Sequence, residues 1–200
     1  MKSLRYHKGL VIPLDYENID TDVILPKQFL KRIEKTGYED FLFYDWRYTD
    51  NGDENPDFIL NHTKYKDATI LLARKNFGSG SSREHAVWAL ENYGFKIILA
   101  PSFGEIYYNN CFLNGVLPIQ LNNKHINQLF RRSEKIENYT LEVDVEKKLL
   151  FDHYNFYQEF ELDTYRQNML LKGLDEIGMT LQNEADIRNF ELSHQVFYQL

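Results

Sequence analysis

Apolar and polar positions alternate with several different periods along this chain. Gly9–Leu14 is a short apolar run of strand length. Asp15–Asp20 reads as a polar turn, and Val23–Leu25 is a second extended apolar run that Pro26 stops from continuing as a ladder strand. Lys27–Tyr38 mixes Lys27, Lys31, Arg32 and Lys35 with Phe29, Leu30 and Ile33, and reads as a short helix or a loop ending at Gly37. Ala68–Ala73 is a buried strand, Asn76–Ser82 a glycine- and serine-rich loop. Ala86, Ala89, Leu90 and Tyr93 fall on one helical face, which predicts a helix over Arg83–Tyr93 stopped by Gly94. Lys96–Ala100 is a second buried strand, so the segment is a right-handed parallel strand–helix–strand unit.

Ser102 or Gly104 then opens a short helix through Asn110, Asn114-Gly115 marks a turn, and Val116–Leu121 is a further strand. In the last third Leu141, Val143 and Val145 alternate with acids, a strand with one wet face, and Leu149–Phe151 can pair with it. Asp163–Leu174 and Glu184–Phe197 read as amphipathic helices. The expected architecture is one α/β domain over residues 1–160 with a helical C-terminal extension over 161–200 packed on it.

Composition narrows the function classes. The 200 residues are 43% hydrophobic and 26% charged, enough for a real core. No apolar run approaches the ~20 residues of a membrane span, and Met1–Leu10 lacks the apolar stretch of a secretory signal, so a cytoplasmic protein is expected. A net charge of −7 disfavours nucleic acid, whose phosphates reward a positive patch. The single cysteine, Cys111, cannot by itself make an iron–sulfur or Cys-rich zinc site, and the scattered histidines suggest no metal site either. The acidic stretch Asp50–Asp57 lacks the Gly and Glu spacing of a calcium loop and reads as a solvated turn.

The chemistry concentrates in Asn76-Phe77-Gly78-Ser79-Gly80-Ser81-Ser82-Arg83-Glu84-His85. Gly78 and Gly80 permit positive φ and close ligand approach. Ser81 and Glu84 have the spacing of a capping box, so a helix N-terminus with outward N–H groups is expected here. Arg83 adds a planar fork suited to a carboxylate. Phosphate-loop, dinucleotide and nucleophile-elbow patterns all fail on spacing. Residue chemistry thus reaches a carboxylate-binding helix N-terminus and stops there. His85 reads as a helix-packing residue and Cys111 as a small buried hydrophobe.

The segment FGSGSSREHAVWALENYGF resembles the signature of the small subunits of 3-isopropylmalate dehydratases, the swivelling domain of the aconitase superfamily. Asn18–Leu30, Asp45-Trp46-Arg47, Ala100–Phe103, Tyr108–Phe112 and Asn114–Ile119 resemble further blocks of that family. One departure is Ser79, where the family usually has cysteine; the change alters thiol sensitivity rather than activity. The resemblance implies a swivelling β/β/α fold with a mainly parallel central sheet. It implies dehydration and rehydration between 2-isopropylmalate and 3-isopropylmalate through 2-isopropylmaleate, in leucine biosynthesis. It further implies that the [4Fe-4S] cluster is supplied by a large partner subunit and none is bound by this chain.

By the same resemblance Ser81 is the general base, Arg83 grips a substrate carboxylate, and Ser82 and Gly80 also bind substrate, Ser82 by positioning the loop or the substrate. Thr21 and Asp22 shape the neighbouring wall, and Leu30, Lys31, Arg32 and Ile33 form a substrate-specificity loop. Two alternatives remain open at this level: a related hydro-lyase of homoaconitase or methylmalate type, and a non-catalytic anion-binding module.

Overall fold

The computed structural model describes residues 1–32, 34–80 and 82–194. The strands are β1 (Tyr6–Leu14), β2 (Ala68–Ala73), β3 (Ile97–Ala100), β4 (Leu117–Gln120), β5 (Thr140–Asp144), β6 (Leu149–Phe151) and β7 (Tyr157–Glu159). The helices are α1 (Thr21–Ile24), α2 (Tyr44–Arg47), α3 (His85–Tyr93), α4 (Glu105–Leu113), α5 (Asn123–Lys135), α6 (Thr164–Lys172), α7 (Glu176–Leu181) and α8 (Glu184–Ser193).

All seven strands join one sheet in the order β4-β3-β2-β1-β5-β6-β7. The pairs β1–β2, β2–β3 and β3–β4 are parallel; β1–β5, β5–β6 and β6–β7 are antiparallel. The parallel strands are short and apolar because helices cover both faces. Strand alternation divides the core accordingly. Ile12, Leu14, Leu71, Ala73, Ile98 and Ala100 face one layer with α1 and α3, while Val11, Ile70, Leu72, Ile97 and Leu99 face the other with α5. Pro118 sits in β4, an edge strand, where a missing N–H costs no ladder bond on the open side.

Three sequence expectations change here. Val23–Leu25 is no strand: Thr21–Ile24 makes one helical turn because the Asp20 carboxylate accepts the N–H groups of Asp22 (2.9 Å) and Val23 (2.8 Å). The helix expected from Arg83 begins at His85, with Glu84 at its N-cap position and no side-chain cap. The Ser81 half of the expected capping box lies outside the described residues; the Glu84 carboxylate accepts from Trp88 Nε1 (3.2 Å) and Asn114 Nδ2 (3.1 Å). The third is α5, a helix the apolar runs did not announce, buried through Ile126, Leu129, Phe130 and Ser133.

Gly94 closes α3 in the left-handed conformation at φ +119°. In the C-terminal stretch, α6 is capped by Asp163 and Gly173 and buries Met169 and Leu170. Helices α7 and α8 bury no residue, and Ile177, Leu181, Phe190 and Leu192 are exposed. The last residues of the helix expected over Glu184–Phe197 lie outside the described residues.

Candidate active site

The parallel strands deliver their following loops to one edge of the sheet, the usual place for a site in this architecture. Residues 15–20, 74–80 and 101–104 meet there, and the loop over 76–80 is held from two sides. On one side Gly78 N–H donates to Ile19 O (2.7 Å), Thr21 N–H to Ser79 O (2.8 Å) and Asn18 N–H to Lys75 O (3.0 Å). On the other, Phe77 N–H donates to Ser102 O (3.1 Å), Gly104 N–H to Phe77 O (2.9 Å) and Asn76 N–H to Ser102 Oγ (2.9 Å).

Three glycines make this fit possible. Gly78 has φ +73°, and a Cβ there would lie 2.2 Å from the Tyr107 ring. A Cβ at Gly104 would lie 2.5 Å from Gly78 O. Gly80 has φ +103° and faces Thr21, whose Oγ1 would be 3.3 Å from an added Cβ. The expected backbone freedom at Gly78 and Gly80 is thus used, in one case to clear an aromatic ring and in the other to lie against Thr21.

Thr21, Asp22, Leu25, Leu30, Arg83, His85 and Ala86 line a shallow notch of about 10 Å³. Four of the sequence-predicted site residues therefore come together: Thr21, Asp22, Leu30 and Arg83. The Arg83 guanidinium lies 3.9 Å from the Asp22 carboxylate and keeps 46% of its side-chain surface exposed. Lys27 also pairs with Asp22, at 3.0 Å. Ser82 is exposed, and its carbonyl accepts from Asn110 Nδ2 at 3.1 Å.

Lys31 and Arg32 do not line the notch. Lys31 is exposed, and Arg32 folds back on its own loop, donating to Gly37 O (3.2 Å) and lying over the rings of Tyr38 and Phe41. Ser81 and Ile33 lie outside the described residues. His85 packs its ring on Trp88, with centroids 4.4 Å apart, and on Tyr38 at 5.8 Å. Burial and then the Arg83 charge hold its pKa below the ordinary histidine value, so it stays neutral at pH 7.

Larger hollows lie elsewhere: about 470 Å³ around Arg47 and Tyr93, and about 500 Å³ around His7 and Lys96. Neither contains a candidate residue, and chemistry rather than size identifies the notch. Residue chemistry at the sequence level did not single out Asp20, Lys27 or Asn110. Asp20 read only as the end of a polar turn; its backbone also bridges to Ser79, which joins segments nearly sixty residues apart.

Cys111 is fully buried, and burial drives its thiol far above the ordinary cysteine value. Among the described residues no group of three or more His, Cys, Asp or Glu side chains could hold a metal ion. These residues do not fit an iron–sulfur cluster. No helix among the described residues is long and apolar enough to cross a membrane.

The family model described as aconitase C-terminal domain matches residues 1–124. The 3-isopropylmalate dehydratase small subunit of Rhodopirellula baltica is 54% identical over 192 residues, covering 96% of this chain and 98% of its own length. Small subunits of the same name from Brevibacillus brevis and Geobacillus kaustophilus are 54% and 52% identical; they cover 92% and 97% of this chain, and 95% and 98% of their own lengths. The crystal structure of 3-isopropylmalate dehydratase from Methanocaldococcus jannaschii superposes with a TM-score of 0.64 at 22% identity. It covers 92% of this chain and 99% of that chain, a likeness of fold.

Proposed function

The chain belongs to the 3-isopropylmalate dehydratase small subunits of the aconitase C-terminal domain family, and from that premise we propose that it works as the small subunit of a hydro-lyase in leucine biosynthesis. The reaction interconverts 2-isopropylmalate and 3-isopropylmalate by removing and re-adding water through 2-isopropylmaleate. The observation that carries the reading is the meeting of Thr21, Asp22, Leu30 and Arg83 in one notch.

Such a reaction needs a diacid held still and a proton taken from a weakly acidic C–H. Arg83 provides a two-pronged donor for one carboxylate. It sits beside Asp22, itself shared with Lys27, so the three side chains together carry a net positive charge that favours an anionic ligand. Leu25, Leu30 and Ala86 give the notch an apolar side suited to the isopropyl group. Gly80 and Ser82 hold the loop, and Thr21 and Asp22 form its wall.

The Ser81 Oγ is proposed as the group that takes the substrate proton. A serine hydroxyl is a very poor base, and each unit of pKa depression needs about 1.4 kcal/mol of preferential stabilisation of the anion. N–H donors and the neighbouring Arg83 charge supply part of this. The specificity loop is proposed over Leu30, Lys31, Arg32 and Ile33, with Leu30 its contribution to the notch.

This chain's residues do not fit the [4Fe-4S] cluster, which is proposed to be bound by the large subunit. The notch is also too small to enclose a branched diacid, which supports a half-site completed by that partner. A cytoplasmic location agrees with this role.

Anaerobic mixing of this chain with its large subunit, followed by the alkene absorbance of 2-isopropylmaleate, tests the reading. Turnover is expected from the mixture and from neither chain alone. Dehydration of hydroxy-diacids by this chain when pure and iron-free would overturn it.

A further inference from the structure

Helix α4 supplies no residue to the notch, yet its buried face touches the signature loop at three places. Tyr107, Asn110 and Asn114 stand at positions i, i+3 and i+7, so they form one stripe along the helix. The Tyr107 ring lies beneath Gly78, where no Cβ fits. Asn110 Nδ2 donates to Ser82 O at 3.1 Å. Asn114 Nδ2 donates to the Glu84 carboxylate at 3.1 Å, and Trp88 Nε1 donates to Asn114 Oδ1 at 3.0 Å. The three contacts fall before, beside and after the stretch that carries the arginine fork.

Asn110 is the critical member. It is 8% exposed, one of the few buried polar side chains in the molecule. Placing an amide in a core is costly unless its donors and acceptor are used. Here the amide is spent on the carbonyl of the residue that immediately precedes Arg83. The peptide joining Ser82 to Arg83 is therefore tied to α4 by a half-buried hydrogen bond from a buried amide.

We infer that Asn110 is a positioning residue for the reaction, setting the Ser82–Arg83 peptide so that the guanidinium meets a substrate carboxylate at the right height. The inference rests on the dehydratase reading above. Asn110 touches no substrate itself; it acts through the backbone.

The decisive variant is Asn110→Asp, which keeps shape but turns the donor into an acceptor opposite the Ser82 carbonyl. Asn110→Ser removes the donor without adding charge. Both are to be assayed in the assembled enzyme on 2-isopropylmalate. The unaltered chain serves as the test of the underlying reading: if it and its partner show no turnover, that reading fails. Hydrogen exchange at the Arg83 and Glu84 amides, measured on the same proteins, then decides the role of Asn110 alone.

The expected result is a fall in kcat/KM of between about tenfold and about a hundredfold, with KM for the diacid raised as well as kcat lowered. The Arg83 and Glu84 amides should exchange faster while those of β2 and β3 keep their protection. A residue with only a packing role would lower the melting temperature and leave the kinetic constants of the assembled enzyme alone. Constants within about twofold of the parent in both variants overturn the inference. Failure of both variants to fold also overturns it, because Asn110 would then be supporting the core rather than the loop.

Discussion

Strands β1–β4 run parallel and release their loops at one edge, where the notch forms; β5–β7 turn back antiparallel and end in tight turns such as Val145–Lys148. Each half contains a charged cluster, and the two are built in opposite ways. In the antiparallel half the Asp152 side chain is fully buried and accepts from Tyr139 Oη (2.6 Å), Tyr154 N–H (2.7 Å), Phe156 N–H (2.8 Å) and Arg132. In the parallel half Arg83 and Asp22 stand 3.9 Å apart with nearly half of each surface in water. A saturated, dry cluster contributes to stability; a loose, wet one leaves a fork within reach of a ligand. The aconitase C-terminal domain match ends at residue 124, just beyond β4, so it spans the parallel half, where the proposed site lies.

That contrast is sharpest in activity. Ser81→Ala should reduce turnover of the assembled enzyme by about 10²- to 10⁴-fold, and Arg83→Lys should cost at least about tenfold because the charge stays but the fork is lost. Neither should shift the melting temperature of the isolated chain by more than a degree or two, about 0.5 kcal/mol. Retained turnover in both would dissolve the assignment of function to the parallel half.

Asp152→Asn should do the reverse, lowering stability by about 3 kcal/mol in denaturant titration while the folded fraction keeps its kinetic constants. Burial raises the Asp152 carboxyl, but the bonds from Tyr139, Phe156, Tyr154 and Arg132 outweigh it and hold the group below its ordinary value. A depressed folded pKa means stability that is fully present above the unfolded carboxylate's pKa and lost as pH falls through the folded one. Acid unfolding below about pH 4 should therefore be steeper in the parent than in Asp152→Asn. An unchanged acid transition in the variant would remove this cluster from the account.

Gly104→Ala sharpens the comparison from the other side, because it stresses the site loop without changing its chemistry. With Gly78 O only 2.5 Å from the new Cβ, it should cost about 1–3 kcal/mol by calorimetry and lower turnover as well. The smallest effect is expected from Ile177→Gln or Leu181→Gln on α7, where both side chains are exposed. Each should move the stability of the isolated chain by no more than about 0.5 kcal/mol.

Much of the parallel half was legible in the residues. Ala68–Ala73 and the strand before Pro101 form where short apolar runs lie between breakers, and Gly94 ends α3 as its position suggests. Readings from apolar runs failed where a side chain captures backbone or another side chain. Asp20 captures two N–H groups and turns Val23–Leu25 away from a strand. Glu84 holds Trp88 and, thirty residues on, Asn114. Helix α5 hides its period because only Ile126, Leu129 and Phe130 are apolar on a stretch otherwise rich in charge. At the site, glycine freedom and the arginine fork were readable; the approach of residues 18–21 to residues 75–79 was not, since nothing in either segment names the other.

That approach makes the signature non-portable. Its backbone bonds run to Asn18, Ile19, Thr21, Ser102 and Gly104, all remote in the chain. A synthetic peptide carrying residues 76–85 would retain every chemical group and lose the shape, and grafting it onto another scaffold would require importing two foreign segments with it.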